Sequence, residues 1–257
     1  MSRLLRERWL ELAGSDGRPL RVRIIDVPRA NHLRLSLDRD GPRLTKPRWV
    51  PLHEAMAFAE QKRDWLEAVL QEQSRRPPPL LWPSGLPAGA PASLLLRGRR
   101  LPVQVRDAPR PRIALDGSGV HLDLPPRPPQ ERLRIAAGQL RSFLDAQMRA
   151  DIARLLPPHV AALGRAPAQV RIRPLRSLWG SLSARDHLSL DLALVMAAPA
   201  ALEYVLVHEL AHLFERNHGP RFWALVERLL PDYRERQHVL RREGEDVKAA
   251  LAMVLAR

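Results

Sequence analysis

Three histidines and a glutamate in the stretch 201–223, ALEYVLVHELAHLFERNHGPRFW, have the types and spacing of a metal site. His208 and His212 are four residues apart, so on a helix their side chains leave one face, about 40° from each other. Both imidazoles can then reach one ion. Glu209 follows His208 by about 100° of helix rotation, close enough to take a proton from a metal-activated water as general base. His218 adds a third imidazole, and three neutral imidazoles with one open position describe a catalytic zinc. Val205, Leu206, Val207, Leu210, Ala211 and Leu213 surround the two helical histidines, so the helix is expected to be buried. Buried histidine and glutamate are costly unless paired or metal-bound. A simple pair of hydrogen-bonded core histidines would leave Glu209 and His218 without a role.

On one continuous helix His218 would point about 240° away from His212, so the helix must end between them. Asn217 and Gly219 tolerate the left-handed conformation that terminates helices, and Pro220 blocks continuation. The helix is therefore expected to run through Glu215 and break near Asn217. The spacing is that of the metzincin proteases, H-E-x-x-H-x-x-G-x-x-H, but Glu215 stands where their turn glycine belongs, so the chain is not read as a metzincin.

The elements that must position these residues follow from periodicity. Residues 20–47 read as a three-strand meander with a hairpin at Asp38-Arg39-Asp40-Gly41. Residues 52–73 have helical spacing, and 74–92 is a Pro- and Gly-rich connector. The pattern then returns: Val103-Gln104-Val105-Arg106-Asp107-Ala108-Pro109-Arg110 echoes Val22-Arg23-Ile24-Ile25-Asp26-Val27-Pro28-Arg29, and a second helix is expected over 130–156. This reads as an internal duplication of a meander–helix unit. A short strand at 168–174 and an alternating strand at 187–192 lead to the histidine helix. The second of these is expected to be half exposed, its edge either open to an extended peptide that adds by main-chain hydrogen bonds or covered by Trp179 or a loop. Residues 220–230 form a further helix, and 233–257 a charged tail helix split near Gly244. The expected divisions are 1–73, 74–92, 93–165 and 166–257.

Composition narrows the class. The chain has 257 residues, 45% hydrophobic and 27% charged, in the range of a soluble globular protein. No apolar run is long enough for a membrane, and the amino terminus has no uninterrupted apolar core of a signal peptide. The absence of cysteine excludes disulfides and thiol chemistry and favours a cytoplasmic setting. A net charge of +14 permits a nucleic-acid partner without specifying one, because arginine is spread along the chain and aromatic residues make up only 5%.

Residues 175–233 resemble the YgjP-like metallopeptidases, relatives of the SprT-like proteins and of zincins generally. The shared signature is Trp179-Gly180-Ser181, a short strand, the Pro199–His212 segment with Tyr204-Val205, Asn217-His218, and Phe222-Trp223. The front half matches in layout only. The resemblance implies an α+β fold: a duplicated β-meander–helix front half feeding a zincin-like core with an HExxH active-site helix. It implies a zinc-dependent peptidase acting on protein or peptide, with His208, His212 and His218 as ligands and Glu209 as base. Trp179, Gly180, Ser181, His187 and Tyr204 are candidates for the substrate strand or for support of the site. The chain departs from the family's R-W-G-S-C-S at Leu178 and Leu182, and Arg176 is the candidate to replace the missing arginine. Two other readings follow: a DNA-associated SprT-like protease, or a metal-binding protein without catalysis.

Overall fold

The computed structural model describes residues 7–14, 19–38, 41–75, 82–175 and 177–255. Residues 1–6, 15–18, 39–40, 76–81, 176 and 256–257 lie outside the described residues, and with them part of the expected hairpin signal, part of the expected connector and the candidate Arg176. The fold is mixed α+β and divides into two compact units, Met1–Pro77 and Pro78–Arg257.

The first unit holds strands β1 (Glu7–Ala13), β2 (Pro19–Val27), β3 (Arg34–Asp38) and β4 (Gly41–Pro47) in the order β1-β2-β4-β3. This is not the expected meander: β2 and β4 run parallel at the centre, and β3 takes the edge beyond β4. Burial explains the order. The central strands carry fully buried Val22 and Leu44, whereas β3 has exposed Arg34 and partly buried Ser36 on one face. The expected helix over 52–73 is two, α1 (Leu52–Gln61) and α2 (Arg63–Arg75), whose Ala55, Ala59 and Leu66 cover one face of the sheet.

The second unit begins with β5 (Ala92–Leu96), β6 (Arg99–Asp107), β7 (Arg112–Asp116) and β8 (Gly119–Leu124), ordered β5-β6-β8-β7 with a parallel β6–β8 pair. Helix α3 (Pro129–Leu163) continues past its expected end at Leu156 despite Pro157 and Pro158. These prolines remove the donors for the carbonyls of Ala153 and Arg154. All four residues are exposed, so water can take up the freed carbonyls. Then come β9 (Gln169–Arg173), β10 (Gly180–Leu182) and β11 (His187–Asp191), a one-turn 3-10 helix at Leu192–Val195, α4 (Pro199–Ala211), α5 (Pro220–Leu229) and α6 (Tyr233–Val254). One hydrophobic core takes Leu94, Val103 and Leu122 from the four-stranded sheet, Leu144 from α3, Leu206 and Leu210 from α4, and Phe222 and Leu251 from the last helices. No helix among the described residues is long and apolar enough to cross a membrane.

Two devices fix the start of α4. The turn between β5 and β6 docks there, with Arg97 N–H donating to Val195 O (2.8 Å) and Gly98 N–H to Met196 O (3.0 Å). Arg97 also grips α3 through Asp151 at 2.9 Å. Further along, Glu203 of α4 accepts hydrogen bonds from His159 of α3 (3.1 Å) and Arg236 of α6. Burial alone would raise the Glu203 carboxyl, but these two partners overcome it and hold the group below the ordinary glutamate range. A carboxyl depressed in the folded state stabilises fully above its unfolded value and loses that contribution as pH falls through the folded one. Glu203→Gln is therefore expected to cost about 1–3 kcal/mol near neutral pH. The difference between variant and wild-type melting temperatures should shrink as pH drops below about 4.5. A pH-independent difference would show that the carboxylate charge contributes nothing.

Candidate metal centre

Helix α4 opens on Pro199, whose fixed φ and missing N–H suit a first turn, and is buried on nearly every side. It ends at Ala211, earlier than the periodicity indicates. The chain tightens into i→i−3 bonds: His212 N–H to Glu209 O, Leu213 N–H to Leu210 O and Phe214 N–H to Ala211 O. Neither Asn217 nor Gly219 adopts positive φ, so the expected left-handed stop is not used. The turn instead carries His212 to the helix end and brings His218 back beside it.

The outcome is a cluster of three imidazoles whose candidate ligand atoms all lie within 4.8 Å of one another. Nε2 of His208 and Nε2 of His218 are 3.0 Å apart. Two neutral lone pairs that close repel unless a proton or a cation lies between them. Nδ1 of His212 donates to the carbonyl of Glu215 at 2.9 Å, which orients the ring and leaves Nε2 as its lone pair. Burial, then the charges of His212 and His218, pull His208 down to about 4, so it stays neutral and able to ligate. His212 is also lowered, chiefly by burial. Nδ1 of His208 is buried without a hydrogen-bond partner among the described residues, a cost of about 1–3 kcal/mol that a bond to a cation at Nε2 would offset. The donor set fits a divalent cation of zinc's preferences.

Phe222, the third residue of α5, is the floor of the cluster. Its ring centroid lies 4.9, 4.6 and 4.7 Å from those of His208, His212 and His218. Trp223 borders His208 and His218 and stacks on Tyr233 at 5.4 Å. Tyr204 stands behind His208 at 5.9 Å; its hydroxyl accepts from Gln237 at 2.7 Å, and burial raises its pKa.

Glu209 is buried beside the cluster, and burial pushes its carboxyl up to about 7, against a hydrogen bond from the backbone of Leu182. A cation on the imidazoles would draw that value down. Gly180 leaves the room: a Cβ there would stand 2.7 Å from Glu209 Cγ and 2.9 Å from Oε1. Trp179, Gly180 and Ser181 thus lead into and form the strand against which Glu209 rests. Of the two alternatives for the 187–192 strand, the free edge is excluded, and the strand is not half exposed. β11 is the central strand of the order β10-β11-β9, with Leu188 to Asp191 all buried, because β9 covers its other side. The edges belong to β10 and β9, and β10 is the one that runs beside Glu209. Asp191 N–H donates to Trp179 O and Ser183 N–H to His187 O, so the odd-numbered residues face β11 and the backbone of Gly180 and Leu182 faces outward. His187 starts β11, its amide held by Ser183 Oγ at 3.1 Å, outside the imidazole cluster.

Spacing did not point to the contacts that hold this edge in place. Asp186, at φ 55°, binds Arg165 (2.6 Å) and Arg216 (2.7 Å), which keep its carboxyl below the usual range. Arg216 also donates to Ser183 O, tying the β10–β11 turn to the loop between His212 and His218. The isolated glycine in an otherwise amphipathic tail was the available sequence signal for a second anchor. Gly244 does not split α6; it lies against the ring of Trp179.

A mixed α+β scaffold here brings together three imidazoles that could hold a metal ion and a buried carboxylate. The chain belongs to the YgjP-like family: the model for the YgjP-like metallopeptidase domain matches residues 31–243. It is therefore of the metallopeptidase class, with protein or peptide substrates. Among solved structures it is similar to the metallopeptidase zymogen of Pyrococcus abyssi abylysin, at 33% identity over 35% of this chain and 90% of that one, with a TM-score of 0.32. No curated protein matches.

Proposed function

We propose that the protein is a zinc-dependent peptidase in which His208, His212 and His218 hold the ion and Glu209 is the general base. The observation that carries this reading is the convergence of three imidazoles beside a buried carboxylate that, among the described residues, has no cationic side chain bonded to it. A zinc ion held there by His208, His212 and His218 would supply Lewis-acid polarisation and lower the pKa of water at the site. Glu209 takes a proton at its carboxylate from the water that attacks the peptide carbonyl and returns it to the amine as the C–N bond breaks. The outward N–H and C=O of Gly180 offer main-chain hydrogen bonds to an extended peptide, with Trp179 and Ser181 holding the strand on either side. Tyr204 keeps His208 in place from behind, and His187 anchors the turn that closes the sheet. The two four-stranded sheets, sharing one strand order, are read as copies of one sheet–helix unit.

Metal analysis tests the ligand set. Purified protein should carry one zinc per chain. His218→Ala should weaken zinc binding by more than the about 10–100-fold cost of losing an outer hydrogen-bond partner. Unchanged affinity in that variant would move the third ligand elsewhere.

A further inference from the structure

Helix α6 runs beyond the residues matched by the family model, and Lys248 lies in that extension. Its ammonium converges on one target from several directions. Nζ is 3.0 Å from Asp191 Oδ2, donates to the carbonyls of Leu178 (2.9 Å) and Leu175 (3.2 Å), and stands 4.5 Å from the centroid of the Trp179 ring. Two carbonyls accept hydrogen bonds from the ammonium, the carboxylate faces it as an ion pair without hydrogen-bond geometry, and the aromatic face adds a cation–π contact. Gly244, one turn earlier on the same face, lets the ring lie against the helix: a Cβ there would be 2.6 Å from Trp179 Cζ2. Asp191 is fully buried, and its other oxygen accepts from the amides of Leu175 and Ala193. One ion pair therefore gathers the backbone at 175, 178 and 193 and the Trp179 ring onto α6.

The next residue after Trp179 is Gly180, where an added Cβ would stand 2.7 Å from Glu209 Cγ, so the strand passes close to the carboxyl side chain. We propose that Lys248, with Gly244, is a positioning residue that sets β10 against Glu209 and so holds both the base and the open strand edge in working register. A buried ion pair is weak evidence for stability, since apolar replacements are often neutral or better. Its value here lies in the path it imposes on the strand backbone. This rests on the reading of Glu209 as base, so the test needs one readout that does not depend on activity.

Three proteins are compared, the wild type, Asp191→Asn/Lys248→Met and Gly244→Ala, with the Glu209→Gln variant as the activity blank. The double variant removes both charges together, leaving no unpaired buried ion, and the side-chain amide oxygen placed at position 191 can still accept from the two backbone amides. Gly244→Ala displaces the ring without touching a charge. Backbone amide exchange, zinc content and kcat/KM on a fluorescence-quenched peptide are measured. Both variants should bind one zinc and show faster exchange confined to 177–183. Each should lose about 10–100-fold in kcat/KM, as expected for a displacement of up to about 1 Å at a reacting group. Local loss of protection with a wild-type rate overturns the positioning role, as does unchanged protection. Exchange that rises across the whole second unit makes the pair merely structural and also overturns it. If the wild type is no faster than the blank while exchange changes locally, the peptidase reading fails and the clamp on β10 stands.

Discussion

Glu209→Gln is expected to lower peptide hydrolysis by about 10²–10⁴-fold, the usual contribution of a general acid–base group, while zinc stays bound at one per chain. Gln keeps the volume of the side chain and an oxygen that can still accept from the Leu182 backbone. It cannot take a proton at the pH of the assay. None of the three imidazoles depends on Glu209 for its orientation, because His212 is held by the Glu215 carbonyl and His208 and His218 pack on Phe222. The metal should therefore be retained. Stability should move the other way. The carboxyl is buried and pushed up to about 7, so the folded protein bears a cost for holding it charged. A neutral isostere removes that cost, and the metal-free variant should melt no lower than the metal-free wild type. Loss of rate without loss of metal or stability is the signature of a group kept for chemistry. Full activity in the variant would sink the assignment of Glu209 as base, and loss of zinc would make it a ligand support.

The parts legible in the sequence were those set by spacing along one element. His208, Glu209 and His212 lie within a single helical turn and a half, so their geometry needs nothing from the rest of the fold. His218 was also legible, since only a chain reversal brings it back to that face. How the chain reverses was not. The stop comes from i→i−3 tightening and from Arg165 donating to Leu213 O across 48 residues, which no local signal carries. Strand order was illegible for a similar reason. Alternation at 187–191 identifies a strand, but only pairing with β10 on one side and β9 on the other makes it central and leaves those two as the edges. Glycine and proline misled because each has two uses. Gly244 reads as a helix breaker when its surroundings are unknown and as a close-approach residue once Trp179 lies against it. Pro157 and Pro158 read as a stop, yet their exposed side of α3 leaves the freed carbonyls to water, and the helix goes on to deliver His159 to Glu203.

Phe222→Ala is expected to be the most destabilising single change near the site, by about 3–5 kcal/mol in the metal-free protein. Phe222 is fully buried and its ring touches all three imidazoles and Trp223. Truncation removes that apolar area and leaves a cavity whose walls are rings already held by the backbone, so collapse is limited. The same cavity frees the imidazoles to leave their converged geometry, and the lost preorganisation must be regained on binding. Zinc at about 100 times its Kd adds about 2.7 kcal/mol to the folded state, and a weaker Kd adds less at the same free zinc. The expected result in urea is thus twofold. The chelated variant unfolds at a lower midpoint than the chelated wild type, and zinc raises the variant's midpoint by less than it raises the wild type's. Phe222→Leu, which restores most of the volume, should recover most of the stability but less of the zinc response, because a branched aliphatic side chain cannot present a flat face to three rings at once. If zinc stabilises Phe222→Ala as much as wild type, Phe222 serves only the core, and the convergence of the histidines is set by the backbone between His212 and His218 alone.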